Sequence, residues 1–128
     1  MKKILIVEDD TDIVSILSLR LKQAGFEVFS ALDGLSGVRL AVQTKPDLIL
    51  MDIWMPVGIG FSVGERLKAL DLGTIPVVYM TASKSKMLKK RARQMGAAAF
   101  LEKPYTFGQL MEIILRILPS DPSAEKAA

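Results

Sequence analysis

Residues 47–56 read DLILMDIWMP: an apolar run of Leu48, Ile49, Leu50 and Met51, then Asp52, with Trp54 and Pro56 close behind. A run without polar alternation is the pattern of a strand covered on both faces, as at the centre of a parallel sheet. A carboxylate at the end of such a strand is costly to bury unless another group compensates for it. The stretch therefore makes two demands on the rest of the chain. Helices must cover both sides of a sheet, and something must gather around Asp52.

The first demand is met by the pattern around it. Five short apolar runs, KILIV (3–7), EVFSA (27–31), DLILM (47–51), PVVYM (76–80) and AAAFL (97–101), alternate with segments of helical spacing. In 12–25 the apolar residues Ile13, Ile16, Leu17, Leu21 and Ala24 recur at that spacing, with Gly25 as a C-terminal stop. A second helix carries Leu35, Val38, Leu40 and Val42 and closes at Pro46; 61–70, 84–96 and 107–118 supply three more. Strand and helix alternating five times predict an α/β domain, a mostly parallel sheet with right-handed crossovers and helices on both faces. Sites in such sheets form beyond the carboxyl ends of the strands, near a switch in strand order.

Composition narrows the chemistry. The 128 residues suit one domain, half of them hydrophobic, and no apolar run approaches the ~20 needed to span a bilayer. The opening MKKILIVEDD has too short an apolar stretch for a signal core of ~7–15 residues, so it reads as a first strand and the protein as cytoplasmic. Cysteine and histidine are both absent. Their absence excludes disulfides, thiolate nucleophiles, serine–histidine hydrolysis and HExxH metal sites within this chain. What remains is carboxylates, lysine, hydroxyls, backbone groups and a hard metal. The net charge of +3 is unevenly spread: acids cluster at Glu8, Asp9, Asp10 and Asp12, and none occurs between Leu72 and Leu101. That acid-free segment carries Lys84, Lys86, Lys89, Lys90, Arg91 and Arg93.

The second demand is met at the strand ends. Glu8 and Asp9 follow the first strand, Asp52 ends the third, Thr81 ends the fourth, and Lys103 follows the fifth. One pocket can collect three carboxylates, a hydroxyl and an ammonium. Three carboxylates raise one another's pKa values unless a cation sits among them, and oxygen ligands alone favour Mg²⁺ or Mn²⁺. Lys103 offers a second positive charge, for Asp52 or for an anionic substrate. A carboxylate can attack phosphorus to form an acyl phosphate, with the Thr81 hydroxyl as a hydrogen-bond donor. Each residue alone has a structural reading: Asp9 or Asp10 as a helix cap, Thr81 as a cap of the fourth helix, Lys103 as a surface lysine. All four strand ends carrying complementary groups by chance is far less expected.

With ILIVEDD, PDLILMDIWMP, PVVYMTA and GAAAFLEKP in this order and spacing, the sequence resembles the receiver domain of two-component response regulators, over about residues 2 to 118. The resemblance implies a flavodoxin-like fold, a doubly wound five-stranded parallel sheet of order 2-1-3-4-5 flanked by five helices. Residues 1–118 would form the domain, and 119–128 a polar tail or linker stub. It further implies that Asp52 is the phosphoacceptor, that Asp9 ligates Mg²⁺ directly and Glu8 through water, and that the Trp54 backbone carbonyl completes the set. Thr81 and Lys103 would contact the phosphoryl group, Phe100 would be the rotating switch residue, and the Lys103–Pro104 bond would be cis. Asp10 matches no metal position and reads as a helix-start acid. The implied donor is a phosphohistidine on a sensor kinase or phosphotransfer domain. The implied output is a change in the face formed by helix four, strand five and helix five, acting on an unidentified partner or output domain. A homodimer through that face is compatible with the same pattern; membrane association and direct nucleic-acid binding are not expected.

The chain departs from the family pattern after Asp52, where Gly58 and Ile59 replace the usual methionine and aspartate. The extra glycine should loosen that loop. Trp54 either shields an acyl phosphate or covers apolar surface beside the pocket. Two other readings rank far below. A haloacid-dehalogenase-like phosphohydrolase wants an aspartate where Trp54 stands. The glycines of GIGFSVG (58–64) have the wrong spacing for a dinucleotide fingerprint and follow the wrong strand.

Overall fold

A computed structural model describes residues 1–53 and 59–119, with side chains for all of these except 59–62. Its elements in chain order are β1 (Lys3–Val7), α1 (Thr11–Gln23), β2 (Glu27–Ala31), α2 (Gly34–Thr44) and β3 (Leu48–Asp52). They continue with α3 (Ile59–Ala69), β4 (Val77–Thr81), α4 (Lys86–Gln94), β5 (Ala99–Glu102) and α5 (Phe107–Ile117). The strands form one parallel sheet in the order β2-β1-β3-β4-β5, the order that the family resemblance implied. The chain first builds to one side of β1 and then returns to place β3 on its other side. The carboxyl ends of β1 and β3 therefore flank the switch point.

The unbroken apolar strands follow from burial on two faces. Ile4 and Ile6 of β1, Leu48 and Leu50 of β3, and Val78 and Met80 of β4 pack with α1 and α5 residues, including Leu17, Leu21, Leu110 and Ile114. Their neighbours Leu5, Val7, Ile49, Met51 and Tyr79 point the other way, onto Val38, Ala41, Val63, Leu67, Leu88 and Ala92 of α2, α3 and α4. Each fully buried aliphatic side chain contributes about 1.5–3 kcal/mol of transfer free energy.

Several boundaries and faces differ from the sequence reading. β3 begins at Leu48 rather than Asp47 and runs through Asp52. Asp47 instead accepts a hydrogen bond from the Lys3 backbone N–H at 2.8 Å, which ties the entrance of β3 to β1. Pro76 lies outside β4, and β5 starts at Ala99, because the Ala97 N–H still closes the end of α4 by bonding to the Ala92 carbonyl. On α1 the buried face is Val14, Leu17 and Leu21, which leaves Ile16 59% exposed. On α2 it is Gly37, Val38 and Ala41, with Leu35 and Val42 facing outward. An apolar residue one position off the 100°-per-residue face rotates into solvent whatever its hydropathy. Gly25 does follow α1 as the stop, with φ of 99°, a left-handed conformation open to glycine.

Candidate functional site

Backbone pairing carries the sheet one residue past its strand ends and so fixes the site. The Glu8 N–H bonds to the Ala31 carbonyl at 3.0 Å, the Ile53 N–H to the Met80 carbonyl at 2.7 Å, and the Lys103 N–H to the Thr81 carbonyl at 2.7 Å. Glu8 and Asp52 are thereby held at the ends of the adjacent strands β1 and β3, and Lys103 at the end of β5, with β4 between, all at one edge of the sheet.

Their side chains converge. The Lys103 ammonium donates to Asp52 Oδ1 at 2.8 Å and to Glu8 Oε1 at 3.3 Å. The other Glu8 oxygen accepts from the backbone N–H groups of Asp9 at 2.9 Å and Asp10 at 3.4 Å. Glu8, Asp52 and Thr81 are all buried, whereas Asp9 is exposed at the rim. Carboxylate oxygens of Glu8, Asp9 and Asp52 lie within 4.8 Å of one another. At the end of β4 the Thr81 hydroxyl accepts from the Ser83 N–H at 3.0 Å. The Lys103–Pro104 bond is cis.

The electrostatics follow from this crowding. Burial, then the charge of Asp52, then the neighbouring Asp9 carboxyl push the Glu8 carboxyl up to about 7; Lys103 opposes them. At Lys103 burial works against the charged form. The hydrogen bond and charge of Asp52, followed by those of Glu8, outweigh it and hold the ammonium above the usual lysine value. Three carboxylates with one lysine leave excess negative charge in a partly enclosed space. That is the condition a hard divalent cation relieves, and an all-oxygen donor set fits Mg²⁺ or Mn²⁺ better than zinc.

Of the residues singled out from sequence, the structure brings Glu8, Asp9, Asp52 and Lys103 into one cluster, with Thr81 joined to Lys103 through the backbone. Phe100 sits on β5 opposite Tyr79 of β4, partly buried against the core on the α4 side. Trp54 and Gly58 lie outside the described residues. Asp10 is the N-cap of α1, its Oδ1 accepting from the N–H groups of Asp12 and Ile13. Thr81 does not cap α4; Ser85 holds that position. Two contributions were not read from sequence: the paired backbone donors of Asp9 and Asp10, and the second bond of Lys103, to Glu8. Neither has a residue-type signal, since both arise from how the chain turns after β1.

A parallel sheet of order 2-1-3-4-5 with an acidic cluster and a lysine at its switch point is the architecture of a phosphorylation-switched signalling module. The chain belongs to the response regulator receiver domain family, whose family model matches residues 4–115. It is 35% identical to the DNA-binding dual master transcriptional regulator RpaA of Synechocystis, over all of this chain and 54% of that protein. It is 36% identical to the transcriptional regulatory protein PrrA of Mycobacterium leprae, over 91% of this chain and 49% of that protein. The chain thus spans about half the length of these relatives. Among solved structures, the chemotaxis response regulator CheY4 of Vibrio cholerae aligns with a TM-score of 0.83 and 30% identity, covering 92% of this chain and 99% of that one. The N-terminal domain of an uncharacterized protein from Wolinella succinogenes aligns with a TM-score of 0.82 and 38% identity, covering 91% and 94%. Receiver domains of this family bind Mg²⁺, and response regulators interact with histidine kinases and output domains. Among the described residues no helix is long and apolar enough to cross a membrane.

Proposed function

We propose that Asp52 is the phosphoacceptor of this receiver domain and that Glu8, Asp9 and Asp52, with the Trp54 carbonyl, hold a Mg²⁺ ion, which Mn²⁺ can replace. When bound, the cation would neutralise charge on the phosphoryl oxygens. An Asp52 oxygen attacks phosphorus, the P–N bond of a phosphohistidine on a sensor kinase or phosphotransfer domain breaks, and its electron pair returns to the imidazole. Lys103 stands beside Asp52 to pair with the transferred phosphoryl group, and the Thr81 hydroxyl turns from the Ser83 N–H to donate to it. Phe100 responds by turning inward, which shifts a pre-existing equilibrium in the face formed by α4, β5 and α5. The domain, residues 1–118, acts in the cytoplasm on an output domain or partner, as a monomer or a homodimer through that face. Residues 119–128 are a tail or linker. It catalyses only its own phosphorylation and dephosphorylation and turns over no small-molecule substrate.

The observation that carries this reading is the 2.8 Å contact of Lys103 with a buried Asp52 beside two further carboxylates. Incubation with acetyl phosphate and Mg²⁺ should add one phosphoryl group by intact mass, and Asp52→Ala should abolish it. Sustained release of phosphate over many turnovers would instead mark a hydrolase. No Mg²⁺-dependent labelling would refute the phosphoacceptor assignment.

A further inference from the structure

Tyr79 puts a polar atom into a stretch of β4 that is otherwise aliphatic. Its neighbours Val78 and Met80 are fully buried, and Tyr79 itself is 2% exposed in the middle of the strand. Burial pushes the phenol up to about 12, so the hydroxyl keeps its proton. A buried tyrosine brings a large rigid ring as well as that hydroxyl, and in a close-packed interior the neighbouring elements must make room for both.

The room is made on α3. A Cβ on Gly64 would lie 2.7 Å from the Tyr79 hydroxyl and 3.3 Å from the Met95 methyl, so the missing side chain lets these groups meet. Met95 is the C-cap of α4, and the hydroxyl therefore stands at the junction of α3, β4 and the end of α4. Beside it is a cavity of about 30 Å³, lined by Tyr79 and Met95 together with Leu67, Ile75, Val77 and Ala97. A void in a close-packed core is where a side chain can shift without compressing its neighbours.

Within the sheet Tyr79 stands between Met51, the residue before Asp52, and Phe100. Register partners on strands about 4.8 Å apart share one face, and Phe100 packs against the same cluster that holds Tyr79, Val63 and Leu67. A ring that turns inward at Phe100 presses on Tyr79, and the slack beside the Tyr79 hydroxyl is the cavity under α3. We propose that Tyr79 is a positioning residue of the switch: it carries the turn of Phe100 through Gly64 to α3, so that α3 and the turn into β4 respond to the state of Asp52. The proposal rests on the reading of Phe100 as the switch residue, and it adds to the α4-β5-α5 face a responding element that reaches the opposite edge of the sheet.

The chain has two tyrosines, Tyr79 and Tyr105, so fluorotyrosine labelling of the whole chain gives two ¹⁹F lines, which Tyr105→Phe assigns. Excess acetyl phosphate with Mg²⁺ makes a covalently distinct species whose fraction is read by intact mass. The Tyr79 line should split into two with areas matching that fraction. In Phe100→Ala, brought to the same labelled fraction, it should stay single. Hydrogen exchange reads the far end: phosphorylation should change the exchange of residues 67–75 by roughly two- to thirtyfold. Tyr79→Phe keeps the ring, removes the oxygen at Gly64 and should lose that response. Adding Gly64→Ala, which puts a methyl group where the oxygen was, should bring the response back, an outcome that a purely structural role for Tyr79 does not give. No labelling of Asp52 would remove the switch reading and this proposal with it. A labelled protein with an unmoved Tyr79 line overturns the proposal alone. So does a line that still splits in Phe100→Ala, or a 67–75 response that survives Tyr79→Phe or is not restored by the added methyl.

Discussion

Glu8, Asp9 and Asp10 are three consecutive acids with three different fates. Glu8 is buried and bonded by two backbone donors and Lys103, Asp9 stands exposed at the rim, and Asp10 caps α1. Their chemistry is nearly identical in the sequence; only the turn after β1 sorts them. Asp52 and Lys103 were legible because each stands where its residue type is out of place, a carboxylate ending a buried strand and a lysine after a short apolar one. Since the Lys103 ammonium favours the charged form of Glu8, Lys103→Met should push the Glu8 carboxyl above about 7. Carboxyl-detected NMR titration of the metal-free protein reads this directly; an unchanged or lower value would show that the ammonium does not govern the cluster. The same variant should label Asp52 more slowly with acetyl phosphate, by roughly the ten- to hundredfold that loss of a charge-stabilising contact costs.

Strands were read more accurately than helix faces because a run buried on both sides needs no phase. Helix burial does, and it separates adjacent residues of equal hydropathy. Ile16 and Leu17 are the case in point: Leu17 is 6% exposed and Ile16 59%. Leu17→Ala should cost about 2–5 kcal/mol in urea unfolding, while Ile16→Ser should stay within about 0.5 kcal/mol. The packing of α3 on β4 offers a second test. A methyl group on Gly64 would come within 2.7 Å of the hydroxyl of Tyr79, a residue buried in the middle of β4. Gly64→Ala should therefore destabilise by about 1–3 kcal/mol. Adding Tyr79→Phe, which removes that oxygen, should recover part of the loss; strictly additive effects would mean the two do not touch. Nothing in the sequence pairs these positions, since a contact between a helix and the strand that follows it leaves no periodicity behind.

For the whole molecule, the site couples global stability to pH and metal. The Glu8 carboxyl has a folded value of about 7 against its ordinary 4.5, so the folded chain holds that proton more tightly than the unfolded one. Its contribution to stability is fully present below pH 4.5 and is lost as the pH rises through about 7. In EDTA the melting temperature should fall across that window, and Glu8→Gln should flatten the slope. Mg²⁺ requires the ionised carboxylate, so its affinity should weaken by about tenfold per pH unit below the Glu8 value, and its stabilising effect should be larger at high pH. Melts with and without Mg²⁺ at several pH values check both signs. Every group in this linkage sits at one edge of the sheet, while the turns that enter the strands lie at the other, roughly 17 Å away along a five-residue strand. The turn between α3 and β4 is exposed at Gly73 and Thr74. A fluorescent protein spliced there would leave all four cluster residues on their native strand ends, making this domain a candidate scaffold for a genetically encoded reporter.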